Sequence, residues 1–224
     1  MTNLLSSIEI NPDKPPIGSV ILLHGLGADG SDFVPIISEL NLAEHLPLRF
    51  VFPHAPSMPV TINNGYVMRA WYDILSFTIE EHADLLGIEA STKKLHDLIQ
   101  HEESLGVPAE KIILAGFSQG AVIALTTGLT YPKRLGGLLA LSGYLLQKES
   151  IMEHAAPANQ STPIFLAHGT EDSVVPFKLG ESIYHLLKNN NYSVAWHPYR
   201  MPHTVCMEEI TDIANWLTQI FTVF

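Results

Sequence analysis

The amino-acid sequence predicts an α/β fold: a mostly parallel, twisted sheet with helices on both faces and no large cap domain. Three observations lead there. Short apolar runs alternate with longer stretches of helical periodicity, the pattern of strand–helix–strand units. The apolar runs are nearly continuous rather than alternating, as expected of strands buried on both faces. One of them also runs into Gly116-Phe117-Ser118-Gln119-Gly120 and then directly into a helical pattern.

The expected strands are Ser19–Leu23, Leu48–Phe52, Lys111–Ala115, Gly136–Leu141, Ile164–Ala167 and Val194–Pro198. The expected helices are Ile88–Glu102, Gln119–Thr130, Phe177–Lys188 and Met207–Ile220. Two stretches read as long connections. Pro53–Ile79 carries Pro53, Pro56, Pro59 and Asn63-Asn64-Gly65, followed by Trp71, Tyr72 and Phe77. Leu145–Thr162 reads as polar and exposed. Long loops in a compact domain often shape a binding site. Neither stretch is long enough for an independent cap, so residues 1–224 are expected to form one domain with a fairly open binding surface.

Composition excludes several classes. The chain has 224 residues, 46% hydrophobic and 16% charged, with a formal net charge of −11. That balance argues for a packed globular protein, and against nucleic acid or anionic lipid as electrostatic partners. A neutral, cationic or apolar substrate suits it. There is no run of about 18 apolar residues to suggest a membrane span. Met1 to Pro16 shows no signal-peptide pattern, and Cys206 stands alone as the single cysteine. These features read as a cytoplasmic protein.

The chemistry-bearing segment is G-x-S-x-G. Held in a tight turn between strand and helix, Ser118 would project its Oγ above the sheet, with small neighbours making room for the backbone. The helix that follows would aim free N–H groups at a developing oxyanion. A chance pair of glycines around a buried serine is the plainer alternative, and the strand–turn–helix context speaks against it. A serine nucleophile needs a base, and the base an orienting carboxylate, in the chain order Ser, acid, His. Asp172 is the first acid at the end of a later strand, with Glu171 beside it as the alternative. His185 falls in an expected helix and His197 in an expected strand. His203 lies in a loop after the last strand and is the expected base.

Gly25-Leu26-Gly27-Ala28-Asp29-Gly30 also matches the dinucleotide pattern G-x-G-x-x-G. That pattern needs an acid at the end of the next strand, roughly 20 residues on; here the strand ends in Phe52-Pro53-His54. The segment reads better as an oxyanion loop, with the backbone N–H of Leu26 acting together with that of Gln119. The eleven histidines show no metal-ligand spacing, and His101-Glu102 lacks the second histidine of H-E-x-x-H. His24 and His168 are expected to fix loops, and Asp73 to anchor its own. Cys206 is expected as a small apolar residue of the last helix. Trp71, Phe77 and Tyr144 suit core and binding site equally.

Together these segments resemble the phospholipase/carboxylesterase group of α/β-hydrolases, which includes the acyl-protein thioesterases. The resemblance rests on Leu23-His24-Gly25-Leu26-Gly27-Ala28-Asp29-Gly30, Phe52-Pro53-His54-Ala55-Pro56, Pro59-Val60-Thr61-Ile62-Asn63 and Met68-Arg69-Ala70-Trp71-Tyr72-Asp73-Ile74. It continues through Ala115 to Gly120, Leu141-Ser142, His168-Gly169 with Asp172, Val175-Pro176 and His203. It implies the α/β-hydrolase fold and hydrolysis of esters or thioesters of apolar acyl chains, on small molecules, lipids or acylated proteins, without cofactor or metal. It maps a triad onto Ser118, Asp172 and His203, and an oxyanion hole onto the amides of Leu26 and Gln119. By position, Leu26, Ile74, Phe77, Tyr144 and Val175 resemble residues lining an acyl groove. Two departures stand out: Ala121 where the family usually has glycine, and Tyr144 where tryptophan is common. The same machinery would serve a lysophospholipase or a lactone hydrolase. A non-catalytic binding module is the alternative from another class. Apolar residues near Ile74 and Phe77 suit a homodimer contact as well as a substrate, so monomer and homodimer stay open.

Overall fold

A computed structural model describes residues 4–42, 46–76 and 83–222. Its main sheet has seven strands in the order β1-β3-β2-β6-β7-β8-β9. These are β1 (Ser7–Ile10), β2 (Gly18–Leu23), β3 (Leu48–Pro53), β6 (Ile112–Phe117), β7 (Gly137–Leu141), β8 (Ile164–Gly169) and β9 (Val194–Tyr199). β1 runs antiparallel to β3, and every other pairing in this sheet is parallel. The helices are α1 (Ile36–Leu40), α2 (Leu85–Ser104), α3 (Gln119–Thr130), α4 (Lys148–Glu153), α5 (Phe177–Asn189) and α6 (Met207–Thr222). β4 (Ser57–Val60) and β5 (Tyr66–Arg69) form a separate antiparallel hairpin. This is the α/β-hydrolase arrangement, with no large cap among the described residues.

The strand period of two assigns side chains to opposite faces. Ile21, Leu23, Ile112, Leu114, Leu138 and Leu166 pack into one core with α2, α3 and part of α5. Val20, Leu22, Ile113, Leu139 and Phe165 pack into a second core with α1 and α6. Both faces are covered, which is why the strands read as unbroken apolar runs.

After β2 the chain moves outward to β3, then returns to the other side of β2 as β6. A parallel sheet opens a crevice beyond its strand ends where the winding direction reverses. Here the reversal sets the loop after β2 beside the turn after β6. Among the described residues no helix is long and apolar enough to cross a membrane.

Three expectations are corrected. The stretch Pro53–Ile79 holds the β4–β5 hairpin, a short 3-10 turn at Thr61–Asn63 and an isolated bridge between Ile74 and Ala83. Its last residues, 77–79, lie outside the described residues. Leu145–Thr162 is not an exposed polar loop: it contains α4, and Leu145, Leu146, Ile151, Asn159 and Thr162 are buried. Cys206 precedes the last helix rather than lying in it, and packs half-buried against the second core.

The second correction has an energetic reason. Asn159 is wholly buried and meets all of its hydrogen-bonding capacity. Its Oδ1 accepts from the Leu135 amide and from Thr162 Oγ1, each at 2.9 Å. Its Nδ2 donates to the carbonyls of Tyr131 at 2.7 Å and Lys133 at 3.0 Å. One polar side chain thus closes the segment between α3 and β7 onto the chain leading to β8. Asn159→Ala is expected to cost about 3 kcal/mol, because it leaves several buried backbone groups unmet. Urea unfolding should show a lower midpoint at an unchanged slope; an unmoved midpoint would mean water replaces the amide without loss.

Candidate active site

The turn after β6 fixes Ser118 in a conformation that few non-glycine residues adopt, with φ +54° and ψ −118°. Such strain costs about 1–3 kcal/mol and persists only where the surroundings impose it. The surroundings are tight. A Cβ on Gly120 would lie 2.3 Å from the Leu23 carbonyl oxygen, and one on Gly116 would lie 2.3 Å from the Gly120 backbone. The two glycines therefore let α3 start directly against β2. The Ser118 amide donates to the Leu141 carbonyl at 2.8 Å, tying the turn to the end of β7. Ala121, the departure from glycine, faces Gly143, where any Cβ would sit 2.6 Å from that of Ala121. The extra methyl is accommodated behind the turn by that second glycine.

Ser118, His203 and Asp172 come together although they are far apart in sequence. Ser118 Oγ is 2.9 Å from His203 Nε2, and His203 Nδ1 is 2.7 Å from Asp172 Oδ2. An ionised carboxylate only accepts, so Nδ1 carries the proton and Nε2 is left as an acceptor for the serine hydroxyl. The Asp172 side chain is wholly shielded from solvent. Its Oδ1 accepts from the amides of Val174 at 2.9 Å and Val175 at 2.8 Å. Two fixed donors hold the carboxylate plane, which in turn holds the imidazole. Thr170 and Glu171 donate their amides to the carbonyls of Tyr199 and Met201, drawing the loop after β8 to the one carrying His203.

The alternatives fall elsewhere. Glu171 is solvent-facing and pairs with Arg200 at 2.9 Å. His197 stacks on Phe165 with centroids 4.3 Å apart, and His185 lies against Tyr184 on α5.

His24 and His168 are loop fasteners. The Ala55 amide donates to His24 Nε2 at 3.0 Å, so His24 Nδ1 carries the proton and donates to the Gly25 carbonyl at 2.7 Å. It thereby joins the loops after β2 and β3. His168 Nε2 bonds the Val175 carbonyl at 2.9 Å and lies 3.5 Å from Asp172 Oδ2. Burial lowers the pKa of both rings. A neutral His168 leaves the charge of Asp172 for His203 alone. Asp73 anchors its loop by accepting from the Thr61 amide at 2.7 Å and from Thr61 Oγ1 at 2.5 Å.

Ser118 and His203 open onto a cleft of about 710 Å³ whose lining includes Leu26, Ile74, Gln119, Tyr144 and Val175. Phe77 lies outside the described residues. Gln119 is the first residue of α3, where an amide has no intrahelical acceptor. The Gly30 amide is bonded to His54 Nδ1 at 3.1 Å, so that end of the glycine-rich loop is tied to β3 rather than open to a phosphate. Among the described residues no three His, Cys, Asp or Glu side chains form a set able to hold a metal ion.

Several site residues have no local sequence signal. The Gln119 side chain accepts from the Trp71 amide at 2.9 Å and donates to the Tyr72 carbonyl at 2.6 Å. Trp71 Nε1 donates to the His24 carbonyl at 2.8 Å, and Ser91 Oγ donates to the Trp71 carbonyl. These bonds lock residues 71–74 against the serine turn, so Trp71 belongs to the buried support and Ile74 to the cleft wall. Phe33, Ile62, Phe117, Val174 and Val205 add further apolar surface to that wall. Ile62 could have been inferred only by knowing that its amide bonds the Ile74 carbonyl across the loop.

Comparison with known proteins identifies the family. A family model described as Phospholipase/Carboxylesterase matches residues 6–221. Acyl-protein thioesterase 1 of Yarrowia lipolytica is 41% identical over 208 residues, covering 90% of this chain and 91% of that protein. The protein of the same name from Schizosaccharomyces pombe is 41% identical over 190 residues, covering 85% and 84%. The crystal structure of Arabidopsis thaliana SOBER1 superposes with a TM-score of 0.85 at 32% identity, over 91% of this chain and 98% of that one. Zea mays acyl-protein thioesterase 2 gives 0.84 at 28% identity, over 96% and 99%. Similarity of this extent, in sequence and in fold alike, means that the chain belongs to the phospholipase/carboxylesterase family.

Proposed function

We propose that the chain, acting as one α/β-hydrolase domain, cleaves carboxylic esters or thioesters of apolar acyl groups through an acyl-enzyme on Ser118. The observation that carries this reading is the unbroken hydrogen-bond chain from Asp172 through His203 to Ser118 at the floor of an apolar cleft.

His203 Nε2 takes the Ser118 proton as Oγ attacks the carbonyl carbon. Asp172 keeps the ring in the tautomer this requires and stabilises the imidazolium that forms. The amides of Leu26 and Gln119 receive the oxyanion, each worth about 3 kcal/mol of barrier. The imidazolium then protonates the leaving alcohol or thiol. Water, deprotonated by His203, attacks the acyl-enzyme and frees the acid and Ser118. No further group is needed to balance either half-reaction. The acyl chain lies along Leu26, Ile74 and Val175, where burial contributes about 0.8 kcal/mol per methylene.

The relatives named acyl-protein thioesterases make an acylated protein a proposed substrate beside small esters. The lone thiol of Cys206 suits a reducing, cytoplasmic setting.

The test is hydrolysis of p-nitrophenyl esters and of an acyl thioester, together with mass-spectrometric mapping of a fluorophosphonate adduct. Turnover with the adduct on Ser118, and loss of labelling in His203→Ala, is the expected result. Neither turnover nor labelling would point instead to a binding module that kept the fold.

A further inference from the structure

The proposed oxyanion donor at Leu26 belongs to a peptide whose other polar atom is held from the buried side. The Gly25 carbonyl and the Leu26 amide share one trans peptide plane, so the C=O and the N–H point in opposite directions. His24 Nδ1 donates to that carbonyl at 2.7 Å. His24 is wholly buried and is not part of the cleft wall, whereas Gly25 and Leu26 both line the cleft. Holding the carbonyl toward the ring therefore turns the Leu26 amide toward the cleft. The plane also lies close to the nucleophile: a Cβ on Gly25 would be 3.5 Å from that of Ser118. Among the described residues the Leu26 amide has no hydrogen-bond acceptor.

The imidazole has little freedom of its own. Its Nε2 accepts the Ala55 amide at 3.0 Å, which fixes the neutral tautomer with the proton on Nδ1. Trp71 Nε1 donates to the His24 carbonyl at 2.8 Å, and the two rings stand 5.3 Å apart, centroid to centroid. The Ala55 carbonyl accepts from Arg69 Nη1 at 2.8 Å, and the Arg69 carbonyl accepts the Gly27 amide at 2.9 Å. Hydrogen bonds thus run from His24 through Ala55 and Arg69 back to Gly27. They set both peptide planes that flank the Leu26 Cα, one through His24 and the other through the Arg69 carbonyl. A donor aimed in advance costs no reorganisation during reaction, and a misaimed one forfeits that advantage.

We infer that His24 is a positioning residue for acyl transfer: its Nδ1 hydrogen bond to the Gly25 carbonyl aims the Leu26 amide into the oxyanion hole. The inference rests on the acyl-transfer reading above and gives that reaction a second histidine, one that transfers no proton.

Asparagine and glutamine separate the two bonds of the ring. Asparagine places a side-chain N–H where Nδ1 stands, so His24→Asn keeps the Gly25 bond and loses the Ala55 one. Glutamine reaches the Nε2 position, so His24→Gln keeps the Ala55 bond and loses the Gly25 one. The deciding experiment measures kcat and KM for p-nitrophenyl butyrate in both variants and the wild type, with thermal melts alongside. His24→Gln is expected to lose about 10²-fold in kcat, the lower range for a missing oxyanion donor, with KM held within a few-fold. Acylation and deacylation both pass through an oxyanion, so kcat falls whichever step limits. His24→Asn is expected to stay within about tenfold of wild-type kcat, because the donor to Gly25 is retained. His24→Ala, which keeps neither bond, takes the place of His24→Gln if that variant does not fold. If His24→Asn does not fold, the fall of kcat at constant KM decides. A folded His24→Gln with wild-type kcat overturns the inference. So does an equal loss in the two variants, which would mean that His24 only ties the loops together. A wild-type chain that neither hydrolyses the ester nor takes a fluorophosphonate on Ser118 defeats the acyl-transfer reading itself, a result distinct from both.

Discussion

Ser118→Ala is expected to lower kcat for ester hydrolysis by about 10⁴-fold or more while leaving KM within a few-fold. The size follows from what remains. Removing Oγ deletes the atom that forms the acyl-enzyme, and His203 can then only assist direct attack by water. The proposed backbone donors of Leu26 and Gln119 survive, and such donors with substrate binding account for the residual catalysis seen when a nucleophile is deleted in other serine hydrolases. KM should hold because the cleft walls are untouched and Ser118 Oγ bonds only His203 among the hydrogen bonds around it. The fold should hold too. Alanine meets the same strain at φ +54° as serine does, and the amide bond from residue 118 to the Leu141 carbonyl is unaffected. Steady-state kinetics over a substrate range, with a thermal melt as control, separates these effects. A folded variant retaining a tenth of wild-type kcat would move the nucleophile away from Ser118.

How much of this was legible in the sequence depended on how local each signal was. The parallel strands were visible because burial on both faces leaves an apolar run that no surface segment imitates; β6 ends two residues beyond the expected Ala115 and β7 starts one residue after Gly136, without consequence for topology. The hairpin was not visible. Tyr66 is 70% and Val67 60% exposed, Pro59 sits inside β4, and neither strand has the alternation that marks a half-buried face. β1 was missed for a related reason: four residues on the sheet edge, one of them exposed, carry little burial signal.

Ser118, Asp172 and His203 were legible as candidates because each sits just past a strand end with distinctive neighbours. Asp172 was chosen over Glu171 by its place in the sequence, and the structure puts Asp172 against His203 and Glu171 against Arg200. The cleft wall was legible only through the family resemblance, which pointed to Leu26, Ile74, Tyr144 and Val175 but not to Ile62. Ile62, Ile74 and Tyr144 are brought to Ser118 by hydrogen bonds spanning up to 72 residues, such as Gln119 to Trp71 and Tyr72 to Tyr144. Nothing in the local sequence of either partner records such a bond.

Glu209→Gln is expected to flatten the pH dependence of stability and to leave the protein about 4 kcal/mol better off, relative to the wild type, at pH 8 than at pH 4.5. Glu209 is the third residue of α6 and is completely buried, and neither carboxyl oxygen has a hydrogen-bond partner. The position is the one from which a glutamate reaches back to the amide before the helix. Here the Cys206 amide is near enough to favour the charge weakly but does not form a bond. Burial dominates and raises the carboxyl pKa from 4.5 to about 8. The unfolded chain loses this proton above pH 4.5, whereas the folded chain keeps it until about pH 8. Between those values the folded state binds more protons, so stability is full below the lower pKa and falls by about 1.4 kcal/mol per pH unit as pH rises. Glutamine has the shape of the neutral acid and nothing to ionise, so this slope disappears. Any cost of burying its amide is the same at every pH, and other titrating groups contribute equally to both proteins. Urea unfolding at pH 5, 6.5 and 8 gives both slopes. Parallel lines for the two proteins would show that Glu209 ionises alike in folded and unfolded chains, and that water or a shifted Cys206 amide reaches a carboxylate this deeply placed. Diverging lines would show that burying Glu209 at the start of α6, the helix that directly follows the His203 loop, lowers stability as the solution becomes alkaline.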